Sequence, residues 1–585
     1  MKFLRNLLAT ITGLVIFSIF SFFIVIGIFS AIVTSAEPEV EVKENSVLVL
    51  DLNRQIVEKT VEDPFSELMF PGVERPLGLL DLKEAIAQAI EDDNIKGIYL
   101  KCEMIMAGNA TLEEIRRSLV DFKESGKFVI GYGHFFTEGG YYLASVADEL
   151  LMHPEGSMEF NGLNLTSVFF AGLLDKLEIK PVIFRVGEFK SASEPFERKD
   201  LSEENEEQIT QLVTSMHANM LADISETRGK SIDELETIAD SMLTFQAKNA
   251  VEYGMVDRLV YHDELMDNLK ERLGLDKEKE MQTISVDKYK KSYVITSGSS
   301  NRIAVILANG EIVMGEGDPD NIGADRFIKA IKKAREDDNI KAVVLRINSP
   351  GGVALASDVI WRELKLTADK KPLIASMSEL ATSGGYYIAA PADTIVADPM
   401  TITGSIGVVG IMFNFQDFLN EKLGITTDGV QTGPNADIFS SVEPMSEYEQ
   451  RIIQTSLNDT YQRFVNIVAE GRNMPEEQVR EIAGGRVYTG DVAKDLGLVD
   501  VLGGYEDAIQ IAAEKAGIDE EGFKVRFYPK PKSFLEQIME SYGGEVKTKM
   551  VKAELGELYP YYEKIKKVES LRGIQARLPF EFEIN

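Results

Sequence analysis

The sequence predicts an α/β chain made of two tandem copies of one unit, preceded by an apolar segment of membrane-spanning length. Three observations carry this. Apolar strand-like runs alternate with amphipathic helical patterns along most of the chain. The segment "TEGGYYLASVADELLMHP" (137–154) returns as "TSGGYYIAAPADTIVADP" (382–399), an offset of 245. No charged residue falls between Leu7 and Val33.

The elements follow in order. Leu7 to Val33 is 27 residues, about 40 Å as a helix, against a hydrocarbon core of about 30 Å. A cleaved signal peptide has a shorter apolar core, about 7–15 residues, so residues 1–36 are expected to be an uncleaved transmembrane anchor. Lys2 and Arg5 precede the run, which places the N-terminus in the cytoplasm and the remaining chain outside. The first repeat, 37–290, opens with strand-like "SVLVLDL", "IKGIYLK" and "FVIGYG", separated by the helical patterns "LLDLKEAIAQAIEDD" and "LEEIRRSLVDFKES". The second, 291–528, answers with "RIAVILA", "IKAVVLRI" and "PLIASM". "NSVLVLDLNRQIV" (45–57) lies against "NRIAVILANGEIV" (301–313) at offset 256, so the first repeat carries an insertion near "PFSELMFPGVERP". Alternating strands and helices imply largely parallel sheets covered on both faces. Residues 529–585 have no counterpart and read as an appended, partly amphipathic helical tail.

Composition narrows the function. The apolar fraction is 44% and the formal net charge −33, with no basic run. Nucleic-acid binding is not expected from such a balance. One cysteine, Cys102, excludes an intramolecular disulfide and any CxxC site, and reads as a buried strand residue. No HExxH, EF-hand or Cys/His cluster is present, so neither a metal nor a cofactor is expected.

The two copies differ where chemistry would sit. Ser383 follows a strand and opens the helix "GGYYIAA", whereas the first copy has Glu138 there. A hydroxyl on a glycine-flanked strand-to-helix turn is approachable, and the helix N-terminus favours developing negative charge. Locally, an ordinary serine N-cap reads the same way. The loop "RINSPGG" (346–352) holds two glycines whose N–H groups can face an oxyanion, and its counterpart "KCEMIMA" has neither. A serine nucleophile needs a base. All four histidines lie in the first repeat, none in a Ser/His/Asp setting. Lys190 in "RVGEFKSASEPF" faces Ala436 in the second copy, at offset 246. Each repeat thus retains one half of a Ser–Lys pair. Lys190 must be neutral to accept a proton. Its ordinary pKa is about 10.4, so burial must lower it, and Glu188, Glu194 and Glu197 must point away. Ser191 is the expected neighbour of the amine. Met377, Leu380, Tyr386, Ile406 and Val408 could line an apolar pocket or simply be core.

These motifs, "VGEFKSASEPF", "NSPGG" and "SELATSGGYYIAAPADTIVADPMTITGSIGV", resemble those of the signal peptide peptidase A family, in its long duplicated bacterial (protease IV) type. The resemblance spans nearly the whole chain. It implies a Clp/crotonase-like fold of repeated ββα units, a nucleophile at Ser383, a general base at Lys190, and an oxyanion hole from Gly351 or Gly352 with Gly384. It further implies a homotetramer in the bacterial inner membrane, anchored in lipid by its N-terminal helix, with the catalytic part periplasmic and cleaved signal peptides or other apolar peptides as substrate. The alternatives are a related membrane protease acting on envelope proteins, a crotonase-like acyl-CoA site and a non-catalytic scaffold. An extracytoplasmic address disfavours the second, and retention of Ser383, Lys190 and the glycine loop disfavours the third.

Overall fold

The computed structural model describes residues 40–60, 75–293, 298–519, 522–529 and 574–577, and part of residues 2–24. The expected anchor over 7–33 and the insertion near 64–76 lie largely outside the described residues. Among those described, no helix is long and apolar enough to cross a membrane.

Each repeat is built around its own sheet. In the first, six parallel strands run in the order Arg258–Leu259, Glu149–Met158, Phe128–Phe136, Ile95–Lys101, Ser46–Asp51, Thr283–Ser285. The central strand Ile95–Lys101 is buried on both faces, which explains its nearly unbroken apolar run. One face packs Ile98 and Leu100 against the helices Leu79–Glu91 and Asn109–Glu124. The other packs Tyr99, Ile130 and Leu151 against Leu265 and Leu269 of the helix His262–Arg272. Cys102 is fully buried just past the central strand, and burial pushes its thiol pKa up.

The second repeat repeats this plan. Its sheet runs Val487–Thr489, Ile402–Gly404, Leu373–Thr382, Ile340–Ser349, Arg302–Asn309, Lys524–Tyr528, with Thr394–Ala397 and Val501–Leu502 branching from Leu373–Thr382. The duplication persists in fine detail. The register shifts after the first residue of the opening strand in both copies, at Ser46/Val47 and at Arg302/Ile303. Both copies also carry a 26-residue helix, Glu203–Arg228 and Glu447–Arg472. Each is opened by a serine side chain, Ser202 or Ser446, that accepts a backbone N–H three residues on, and each ends on a left-handed residue.

A third sheet joins the repeats. Its order is Ile322–Gly323, Ile312–Val313, Gly351–Val353, Ile574–Arg577, Val408–Asn414, Lys180–Val186. The last strand belongs to the first repeat. It pairs antiparallel with Val408–Asn414 along its full length, from Val408↔Val186 to Asn414↔Lys180. The tail was expected to be helical. Residues 530–573 and 578–585 are outside the described residues, and the part that is described, Ile574–Arg577, is a strand. A short segment between two strand edges gains ladder hydrogen bonds on both sides, whatever its helical pattern.

Candidate active site

Ser383 ends the strand Leu373–Thr382 and opens the helix Gly384–Ala389. Its backbone has φ 53° and ψ −112°, a conformation that non-glycine residues rarely hold. The turn is pinned by the Ser383 N–H, which donates to the Gly404 carbonyl at 2.8 Å. The side chain makes no N-cap bond to its own helix. In the first repeat the matching helix starts one residue earlier and is capped by Thr137, the counterpart of Thr382, whose Oγ1 accepts from Gly140 N at 3.2 Å. Ser383 is therefore held for something other than capping.

That something is Lys190. Its Nζ lies 2.8 Å from Ser383 Oγ, across 193 positions of sequence. The pairing follows from the third sheet. The strand Lys180–Val186 crosses into the second repeat, and the chain turns at Gly187 (φ 115°) to drop Lys190 beside the serine. Phe189 N donates to the Gly484 carbonyl at 2.9 Å, which fixes the turn. Gly485 makes room: a Cβ there would meet the Lys190 Cβ at 2.6 Å. The second-copy counterpart, Ala436, is exposed and lies in a stretch without strands.

Lys190 is 0% exposed, and burial holds its amine well below the usual lysine range. Its partners are neutral oxygens. Besides Ser383 Oγ they are Ser405 Oγ at 2.8 Å and the Ser405 carbonyl, to which Nζ donates, at 3.1 Å. The neighbouring carboxylates turn away as expected. Glu188 is exposed. Glu194 accepts from Asn205 Nδ2 at 2.9 Å and from the Ser202 hydroxyl, and Glu197 pairs with Arg185 at 2.9 Å.

Ser191 is not the lysine's partner. Its hydroxyl lies in a separate network, donating to Asn205 Oδ1 at 2.8 Å and accepting from Gln208 Nε2 at 3.0 Å. Adjacent residues entering a 3₁₀ turn direct their side chains apart, so proximity in sequence misleads here. Ser405 takes that place instead. A signal for it exists: at the same offset of 245 the first repeat has Phe160, a third correlated loss beside Ser383 and the glycines.

The glycine loop converges on the same point. Gly351 has φ 97°, and a Cβ there would sit 2.8 Å from Gly384 N. The Gly351 N–H donates to Ser349 Oγ at 3.1 Å. Met377, Tyr386, Ile406 and Val408 are fully buried core residues and Leu380 is partly buried, so these five do not line an open apolar pocket.

In the first repeat the equivalent place is occupied differently. Glu138 is buried, and its Oε2 accepts from Asn161 N at 2.8 Å and Gly162 N at 3.2 Å. Burial pushes its pKa up to about 7.

A profile of peptidase family S49 matches residues 121–276 and 365–519, one match in each repeat and together more than half of the chain. The chain belongs to peptidase family S49. Lys190 falls in the first S49 match and Ser383 in the second. The chain is 35% identical to "Protease 4" of Salmonella typhi, over 92% of its own length and 88% of that protein. It is 37% identical to "Serine protease SPPA, chloroplastic" of Arabidopsis thaliana, over 83% of its own length and 71% of that protein. A 38% identical match to "Putative signal peptide peptidase SppA" of Enterococcus faecium covers 37% of this chain and 64% of that one. As an S49 member with Protease 4 relatives, the protein is a serine peptidase.

Proposed function

We propose that the protein is a membrane-anchored serine endopeptidase that uses a Ser383–Lys190 dyad to degrade cleaved signal peptides. The observation that carries the dyad is the 2.8 Å approach of a fully buried lysine amine to the Ser383 hydroxyl. Neutral Lys190 Nζ takes the hydroxyl proton as Oγ attacks a peptide carbonyl carbon. The carbonyl π electrons move onto oxygen, facing the N–H groups of Gly352 and Gly384. Gly352 fits this role better than Gly351, whose N–H is already engaged by Ser349. Collapse breaks the C–N bond, and Lys190 returns its proton to the leaving amine. Water then enters and gives a proton to Lys190 as its oxygen adds to the acyl carbon; the Oγ–C bond breaks, the acyl group leaves as a carboxylic acid, and Lys190 returns the proton to Ser383 Oγ. Ser405 orients the amine.

The substrate class rests on the Enterococcus relative's name and on the apolar run 7–33, which would hold the site at a membrane surface where apolar peptides partition. The Clp/crotonase-like assignment is supported by the second repeat, where the strands Ile340–Ser349 and Gly351–Val353 lead into the helix Ala354–Ala368. The homotetramer is supported by an exposed apolar group, Leu423, Ile425, Val430 and Phe439, in the second-copy segment that corresponds to the crossing strand. In the first repeat that segment bridges to a neighbour domain, so in the second it is free to bridge to another copy.

The test is hydrolysis of fluorogenic apolar peptides by detergent-solubilised full-length protein. Ser383→Ala and Lys190→Ala should each lose at least about 10²-fold in kcat/KM while melting as cooperatively as wild type. A Lys190→Ala enzyme of near-normal activity would remove the dyad.

A further inference from the structure

The helix Glu203–Arg228 of the first repeat brings one buried amide to the turn that carries Lys190. Gln208, 1% exposed, lies on its second turn. Its Nε2 donates at 3.1 Å to the Phe189 carbonyl, which belongs to the peptide bond into Lys190. The same nitrogen lies 3.0 Å from Ser191 Oγ and 2.9 Å from Asn205 Oδ1. On the other side Gln208 Oε1 accepts from the Val487 N–H at 3.4 Å. The peptide unit that supplies this N–H also presents the Arg486 carbonyl, which accepts from the Ser405 N–H at 2.7 Å. Lys190 Nζ in turn meets Ser405 Oγ at 2.8 Å and donates to the Ser405 carbonyl at 3.1 Å. These bonds close a ring that runs from the Lys190 backbone through Gln208 and the 486–487 peptide to Ser405, and back to the Lys190 amine.

The second repeat is built differently at the same place. Its helix Glu447–Arg472 starts from Ser446 as Glu203–Arg228 starts from Ser202, an offset of 244. At that offset Gln208 aligns with Ile452, which is 45% exposed, and Asn205 aligns with Glu449. Glu449 completes a capping box with Ser446. Asn205 leaves that task and turns inward, donating to Glu194 Oε2 at 2.9 Å and accepting from the Ser191 hydroxyl at 2.8 Å. Of the two repeats, the one with the inward polar pair is the one with a lysine to hold. The residue type fits as well. An amide supplies a donor for Phe189 and an acceptor for Val487 without a charge. A carboxylate would turn an oxygen toward three acceptors and favour the protonated amine. The charged groups around the turn are engaged elsewhere. Arg486 stacks over Phe189, with Cζ 4.5 Å from the ring centroid, and pairs with Glu207 at 2.6 Å.

We propose that Gln208 is a positioning residue for the dyad: it ties the turn bearing Lys190 to the backbone that supports Ser405, and so sets where the amine stands against Ser383 Oγ. This rests on the reading of Lys190 as the base. Gln208 touches neither reacting atom, so its removal acts on the rate through the lysine.

The experiment measures kcat, KM and the pH profile of kcat/KM on one fluorogenic apolar peptide, with detergent-solubilised full-length protein carrying Gln208→Met or Gln208→Glu. Circular dichroism and melting establish the fold of each. Gln208→Met keeps the length and removes both bonds. Gln208→Glu keeps the acceptor for Val487, loses the donor and adds a charge, and it carries the test alone if Gln208→Met does not fold. Each should lower kcat about 10–100-fold with KM changed less than about threefold. The midpoint of the profile should move upward, because a displaced amine is better hydrated and, with Glu at 208, also lies nearer a negative charge. Wild-type kcat in either folded variant overturns the proposal, and so does a midpoint that stays in place in both. An active Lys190→Ala enzyme removes the dyad itself. An inactive Lys190→Ala enzyme beside a fully active Gln208→Met enzyme removes only the role of Gln208.

Discussion

Around Lys190 the hydrogen-bond partners are three neutral oxygens, and burial lowers the amine's affinity for a proton. In the proposed dyad Lys190 acts when neutral, so kcat/KM should rise with pH through the folded pKa of Lys190 and then level. The midpoint should fall well below the ordinary lysine value of about 10.4, and a pH–rate profile on a single peptide measures it. Ser405→Ala removes one of the contacts that aim the amine. It should lower kcat on the order of 10–100-fold with a smaller change in KM, and Ser405→Thr should restore part of the loss. Glu138 titrates in the opposite sense from the usual carboxylate. Its folded pKa is raised, from 4.5 to about 7, by burial. The stability it contributes is therefore full below about 4.5 and lost as pH rises through about 7. Glu138→Gln should flatten that loss, and melting temperatures at pH 5 and pH 8 for both proteins will show it.

Two strands decide whether these residues meet. Lys180–Val186 carries Lys190 across to the second repeat, and each of its residues is paired there in the third sheet. Ile183→Pro, opposite Ile411 in this edge strand, should weaken the pairing. The expected result is loss of activity with both repeats still folded, read as turnover against far-ultraviolet circular dichroism. Gly351–Val353 is the second strand. At φ 97°, with a Cβ meeting the Ala576 carbonyl oxygen at 2.1 Å and Gly384 N at 2.8 Å, Gly351→Ala should displace the loop and lower kcat more than it lowers the melting temperature. The glycines themselves were readable from "NSPGG" against "KCEMIMA". Their strand character was not, because it depends on partners from 312 and 574–577 that no local pattern announces.

Across the whole molecule the repeats are locked by buried charge. Arg346 of the second repeat, 1% exposed, donates from Nε to Glu58 at 2.9 Å and from Nη2 to Glu114 at 2.7 Å, both carboxylates belonging to the first repeat. Lys83 also reaches Glu114, at 2.5 Å. Arg346→Met leaves Glu58 without its cation in a dry interface and should cost about 3–5 kcal/mol. Calorimetry that shows no loss of stability would mean the two repeats are held by apolar packing alone. By itself the sequence determined the duplication, the alternating α/β plan, the acidic, cysteine-poor character and the choice of Ser383 and Lys190 as the candidate pair. All of these are written in local pattern or in the comparison of one copy with the other. Only the tertiary structure decided that Ser405 rather than Ser191 holds the lysine, that the carboxylates near Lys190 face away, and that a tail segment joins the third sheet between Gly351–Val353 and Val408–Asn414. The reason is physical. Periodicity and repeat alignment report which face of its own element a residue occupies, whereas a contact across 193 positions is fixed by sheet pairing between distant strands, which leaves no local signature.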